Sequence, residues 1–160
     1  MNEPKLDQIE IKLLQALQQN CRRGLNDIAS AIGSSASSLW RRLKNLEERG
    51  VIERYSIVIN HRKMGIRESA YVHVRLEKHN EENIEKFAKI VLESNHILEC
   101  NYTTGEYDFV LKVISVDMRQ FHKFLRDTLM SQDYISHTHT TVILDCLKEN
   151  SPVSIDLLNG

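Results

Sequence analysis

The chain has 160 residues, of which 41% are apolar and 27% charged, and a formal net charge of -1. These proportions exclude a disordered or collagen-like chain and leave room for one domain or two small ones. The near-neutral total hides an asymmetry: the first 60 residues hold nine Lys and Arg against seven Asp and Glu, net +2, and the remainder twelve against fifteen, net -3, a sign that suits a polyanion contact made by the front of the chain.

A first helix is predicted over residues 6–20, where Ile9, Leu13, Leu14 and Leu17 recur at steps of three and four. Asp7 followed by Glu10 reads there as an N-cap with a carboxylate at N3. A short second helix fits residues 26–32, with Ile28, Ala29 and Ile32 inward, Gly24 as a weak cap and Gly33 as the stop. A third runs over 36–49 on the stripe Leu39, Leu43 and Leu46 until Gly50. The segment VIERYSIVI that follows is dense in β-branched residues and reads as a strand.

After NHRKMGIRES the period changes from helical to alternating: Ala70, Val72, Val74 and Leu76 interleave with Tyr71, His73 and Arg75, as in a half-buried strand. A helix over 82–92, strands over 97–103 and 107–116 joined by a Gly-containing loop, a helix over 118–129 and a strand over 136–147 complete the order βαββαβ. The fold class is therefore α+β: an N-terminal winged helix-turn-helix, then a ferredoxin-like block whose two helices cover one sheet face. The expected divisions are 1–60 for the three-helix block with its linking strand, 61–68 for a linker, 69–150 for the ferredoxin-like block, and 151–160 for a tail whose structure is not readable. The uncovered sheet face calls for a partner subunit, so at least a homodimer is expected.

The stretch SSASSLWRRLKNLEERGVIERYS, residues 34–56, carries the functional signal. In a helix-turn-helix the second helix of the pair enters the major groove by its N-terminal residues, while amides and cations hold phosphates. Ser35 is the expected N-cap, and Ser37 and Ser38 are short enough to let the helix end approach DNA. Arg41, Arg42, Lys44 and Asn45 extend along the side away from the leucine stripe. Trp40, adjacent to Leu39 and near Leu43 around the helix, is expected to pack against the first helix rather than touch a base. Capping and a solvated face explain such a cluster equally well by themselves. The succession of three short helices and the tight Gly33 turn favour DNA.

The chain resembles the Lrp/AsnC family of leucine-responsive and asparagine-synthetase regulators. The resemblance spans residues 6–148 and rests on LDQIEIKLLQALQQNCR, DIASAIG, WRRLKNLEERGVIERYSIVIN, the KMG after it, and GEYDFVLKV. It implies that residues 1–60 are a helix-turn-helix DNA-binding domain and 69–150 a βαββαβ effector domain for ligand sensing and oligomerisation, with dimers that assemble to tetramers or octamers and a prokaryotic, nucleoid-associated place of action. It also implies a small effector, typically an amino acid, bound near the GxYD loop, which corresponds here to Gly105, Tyr107 and Asp108, with Tyr102 and Thr104 adjacent. Gly105 permits a close turn, and Asp108 could accept an α-ammonium group. A hairpin turn in which Asp108 caps its own loop is the structural alternative. The chain departs from the family pattern at Glu10, Gly24 and Ser34, positions of capping and of a turn contact.

No cofactor or metal is expected. His137 and His139 share a strand face but lack a third ligand in a recognisable pattern, and the scattered Cys21, Cys100 and Cys146 read as small core or edge residues. No GxSxG or phosphate-binding glycine loop points to an enzyme. No run approaches the roughly 18 apolar residues of a membrane span and the first residues lack a secretory signal's order, so a cytoplasmic location is expected. A metabolite-binding or structural oligomer whose front block binds another protein stands as the alternative to a DNA-binding regulator.

Overall fold

The computed structural model describes residues 6–149 and 151–154. They form two compact units, one comprising the described residues through Val58 together with those from Lys148 onward, the other Ile59–Leu147.

In the first unit, α1 (Gln8–Gln19), α2 (Leu25–Ile32) and α3 (Ala36–Glu48) enclose a core in which Leu13, Ile28, Leu39 and Leu46 are fully buried. Asp7 and Glu10 form the predicted capping box. The Asp7 carboxylate accepts the N–H groups of Ile9 and Glu10, each at 2.9 Å, and the Glu10 carboxylate accepts the Asp7 N–H at 2.9 Å. Glu10 is also buried, and its other oxygen accepts from Arg49 Nη1 at 3.2 Å, which ties the start of α1 to the end of α3. The α2–α3 turn depends on Gly33, whose φ of 71° lies in the left-handed region, costly by about 1–2 kcal/mol for a residue with a Cβ.

This cap makes the unit sensitive to acid. The N–H of Glu10 bonded to its carboxylate, with the Arg42 guanidinium alongside, holds the pKa of Asp7 below its ordinary 3.8. A depressed folded value means that the stabilisation is complete above the ordinary value and is lost as pH falls through the folded one. Melting of Asp7→Asn followed from pH 7 to pH 3 should show a shallower acid decline than wild type; parallel declines would contradict this role for the cap.

One predicted element fails in this unit. The VIERYSIVI segment is not a strand, because it meets no pairing partner among the described residues; Ile57 and Val58 are 77% and 75% exposed. β-branched residues favour an extended backbone, but a strand exists only through its ladder. Of the tail, Val153 is placed against α1: its N–H donates to Gln18 Oε1 at 2.7 Å, and Gln18 Nε2 donates to its carbonyl at 3.3 Å.

The second unit begins with a 3-10 turn at His61–Met64, followed by β1 (Glu68–Leu76), α4 (Glu81–Glu93), β2 (Ile97–Tyr102), β3 (Phe109–Ser115), α5 (Met118–Phe124) and β4 (Ile135–Val142). The sheet order is β2-β3-β1-β4, antiparallel throughout, which is the ferredoxin-like arrangement. Ala70, Val72, Val74, Phe109, Leu111 and Val113 form one buried row, packed with Phe87 of α4 and Phe121 and Phe124 of α5. α5 continues as a π-helical turn, Leu125–Leu129, so the helix expected over 118–129 is present but widened at its end. The last strand stops at Val142 rather than 147; Leu144 and Leu147 lie beyond the ladder and are exposed. All three cysteines are exposed, so none is a core residue.

The register fixes the other face. Tyr71 stands opposite Lys112 and Thr141, His73 opposite Val110 and His139, and Arg75 opposite His137. Tyr71 is 40% exposed there.

Candidate functional site

Ser35 caps α3, its hydroxyl accepting the Ser38 N–H at 3.2 Å and lying 3.2 Å from the Ser37 hydroxyl. With no acidic residue in the first turn, the positive end of the helix stays uncompensated. Ser37, Arg41 and Lys44 recur at helical steps opposite the leucine stripe, Trp40 joins them from its margin, and all four are exposed. Asn45 lies at the edge of this stripe, its Oδ1 accepting from Arg49 Nη1 at 3.1 Å.

Arg42 departs from its expected place. Its guanidinium donates to and pairs with the Asp7 carboxylate, and its side chain is only 22% exposed. One step around the helix from Arg41 is about 100°, enough to swing the second arginine of the doublet toward α1. Trp40 departs in the opposite sense: it is 56% exposed rather than packed on α1, and Lys44 Nζ sits 5.3 Å from the ring centroid. The buried stripe is filled by Leu39 and Leu46 with Leu43 beside them, which leaves the indole outside.

In the second unit the sheet separates residues that are adjacent in sequence. Tyr102 packs on the core side, its ring 5.2 Å from Phe109, and its hydroxyl lies 2.7 Å from His79 Nε2. His79 Nδ1 is 3.5 Å from Asp108 Oδ1, while Asp108 Oδ2 accepts the Leu76 N–H at 2.8 Å. The Asp108 carboxylate thus stays 26% exposed at the junction of β1 and the β2–β3 loop. Thr104 and Gly105 form the exposed tip of that loop; Gly105 has a φ of 128°, and a Cβ built on it would meet nothing within 4 Å. Thr103 braces the loop from inside, its hydroxyl donating to the Tyr107 carbonyl at 2.8 Å.

Tyr107 points to the opposite face. Its ring lies 5.4 Å from that of His73 and 6.1 and 6.2 Å from those of His137 and His139. Of the five residues singled out around the loop, Tyr102 and Asp108 are brought together through His79, and Tyr107 joins a cluster of three imidazoles instead. Sequence reasoning missed His79 and His73. Among the described residues no group of three or more His, Cys, Asp or Glu could hold a metal ion. A groove of about 430 Å³ lined by His96, Gln120, Lys123, Phe124, Asp127 and Thr128 contains none of the loop residues. Among the described residues no helix is long and apolar enough to cross a membrane.

Residues 6–53 match the winged helix-turn-helix DNA-binding family, and residues 69–153 match the Lrp/AsnC ligand binding domain. The transcriptional regulator AzlB of Bacillus subtilis is 30% identical over 151 residues, covering 94% of this chain and 96% of its own. The proline dehydrogenase transcriptional activator of Rhizobium radiobacter is 30% identical over 144 residues, covering 90% and 92%. A transcriptional regulator of Neisseria meningitidis, solved as its L-Met complex, superposes with a TM-score of 0.91 at 29% identity, over 96% of this chain and 99% of that one.

Proposed function

The chain belongs to the Lrp/AsnC family of transcriptional regulators, and from that premise we propose that an amino acid bound at its β2–β3 loop changes how tightly its helix-turn-helix holds DNA. The protein is a DNA-binding regulator and not an enzyme. Residues through 60 read DNA, residues 69–150 sense and assemble, and 61–68 link the two. Ser37, Ser38, Arg41, Lys44 and Asn45 meet bases and phosphates, Ser35 sets the helix end, and Arg42 holds α3 to the cap of α1. Action on DNA sets the protein's place of work in the cytoplasm.

The observation that carries the effector reading is the part-exposed Asp108 carboxylate beside an open glycine turn. One oxygen is occupied by the Leu76 N–H and the other faces His79, which leaves a fixed negative charge for an α-ammonium group. Tyr102 and Thr104 border it, and the exposed amides around Gly105 suit a carboxylate. The L-Met complex of the Neisseria meningitidis regulator supports an amino acid as the effector class. A second copy covers the sheet face that carries Tyr71, His73 and Tyr107, and such homodimers build tetramers or octamers.

A ligand that binds only the folded form raises the melting temperature by mass action, by an amount equivalent to about 2.7 kcal/mol at a hundred times its Kd. Thermal melting against the twenty amino acids is expected to single out one or a few. Melting curves unchanged by all twenty would remove the amino-acid reading and leave the DNA-binding one standing.

A further inference from the structure

We infer that Trp40 is a specificity-determining residue of the DNA contact and that its indole reads the 5-methyl group of a thymine in the major groove. A tryptophan brings 150–250 Å² of largely apolar surface, and most are drawn inward. Here 56% of it remains in solvent although a leucine core lies beside it on the same helix. The ring sits in the second turn of α3, the part of a recognition helix that reaches base edges. Its neighbours on the exposed stripe are Ser37, Arg41 and Lys44, and α3 has no acidic residue in its first turn.

That combination fits one occupant. A protein partner would bury the indole as well but would need carboxylates placed to match two neighbouring cations and a positive helix end, whereas any duplex DNA presents anionic phosphates beside its groove, and residues 6–53 match a DNA-binding family. The major groove offers one apolar group on its floor, the thymine methyl, and apolar side-chain surface reads it; the indole's carbon face and six-membered ring supply such surface, leaving its Nε1–H free to donate elsewhere. Lys44, held over the indole at 5.3 Å, steadies the ring in the free protein and is positioned to reach a phosphate when the ring enters the groove.

The test uses the full-length protein and a duplex selected by the wild type from a random-sequence library, with each thymine replaced in turn by deoxyuridine, a change that removes only the methyl. Wild type should lose about fourfold in affinity at one or two thymine positions, the worth of one methyl group taken from water. Trp40→Ala should bind the parent duplex roughly tenfold more weakly, as for a lost base contact, and show no discrimination at those positions. Because the side chain is exposed, its removal should leave the circular dichroism and the melting temperature unchanged, and Trp40→Phe should recover part of the discrimination. The inference is overturned if Trp40→Ala keeps the wild-type deoxyuridine profile, as it would were the ring stacked on sugar and phosphate. It is equally overturned if wild type discriminates at no thymine, or if the variant changes only the assembly state.

Discussion

Arg41→Ala should weaken binding to operator DNA by about 1–3 kcal/mol if the guanidinium reads a guanine, or lower the salt slope by about one if it holds a phosphate. Arg42→Ala should do neither. Arg41 is exposed on the stripe with Ser37, Trp40 and Lys44, and among the described residues it takes part in no ion pair. Arg42 is joined to the Asp7 carboxylate, with its Nε buried. Its removal strips an ion pair and the packing of its stem from the α1–α3 contact, about 1 kcal/mol for a partly exposed pair. The two adjacent arginines therefore separate by assay: titration with DNA at several salt concentrations reports Arg41, and thermal melting reports Arg42. Equal losses of DNA affinity in both variants, with unchanged melting, would contradict this division.

Asp108→Asn should abolish the effect of the amino acid on DNA binding and leave the fold in place. The amide oxygen of Asn can still accept the Leu76 N–H, so the strand end stays tied while the charge that faces the ligand disappears. Asp108→Ala removes both, and the orphaned Leu76 N–H adds a loss of about 1–3 kcal/mol in stability. Comparing the two variants distinguishes a binding carboxylate from a structural one. A wild-type ligand response in Asp108→Asn, with weakened melting only in Asp108→Ala, would make the residue a brace for β1 and place the effector elsewhere.

What the sequence discloses about this molecule is mostly local. The Asp7 and Glu10 cap, the Gly33 stop, the Ser35 cap and the alternation along β1 each depend on residues within four positions of one another, and each appears as read. Glu10 goes further than expected, since its length also lets it reach Arg49 at the end of α3. The errors arise where a side chain's role is set by something distant. VIERYSIVI has the composition of a strand and no ladder to join. Trp40 and Arg42 lie close to the margins of the buried stripe, and the packing of α1 against α3 decides which of them turns inward. His79 has no local signature at all. It matters because folding sets it against Tyr102, 23 residues away, and against Asp108. The imidazole cluster is half legible: His137 and His139 share a strand face, whereas His73 joins them only through the register of β1 with β4.

Coupling between ligand and DNA is what distinguishes a sensor from a DNA-binding protein with an assembly domain, and by linkage it must appear in the DNA affinity itself. The direct measurement is a fluorescence-anisotropy titration of the wild-type protein on DNA from upstream of its own gene, at fixed salt, without ligand and with each of the twenty amino acids. At least one amino acid should move the midpoint by about fivefold or more, the lower range of measured allosteric couplings. Twenty-one superimposable isotherms with intact DNA binding would contradict the account, leaving a regulator whose second unit does not sense amino acids.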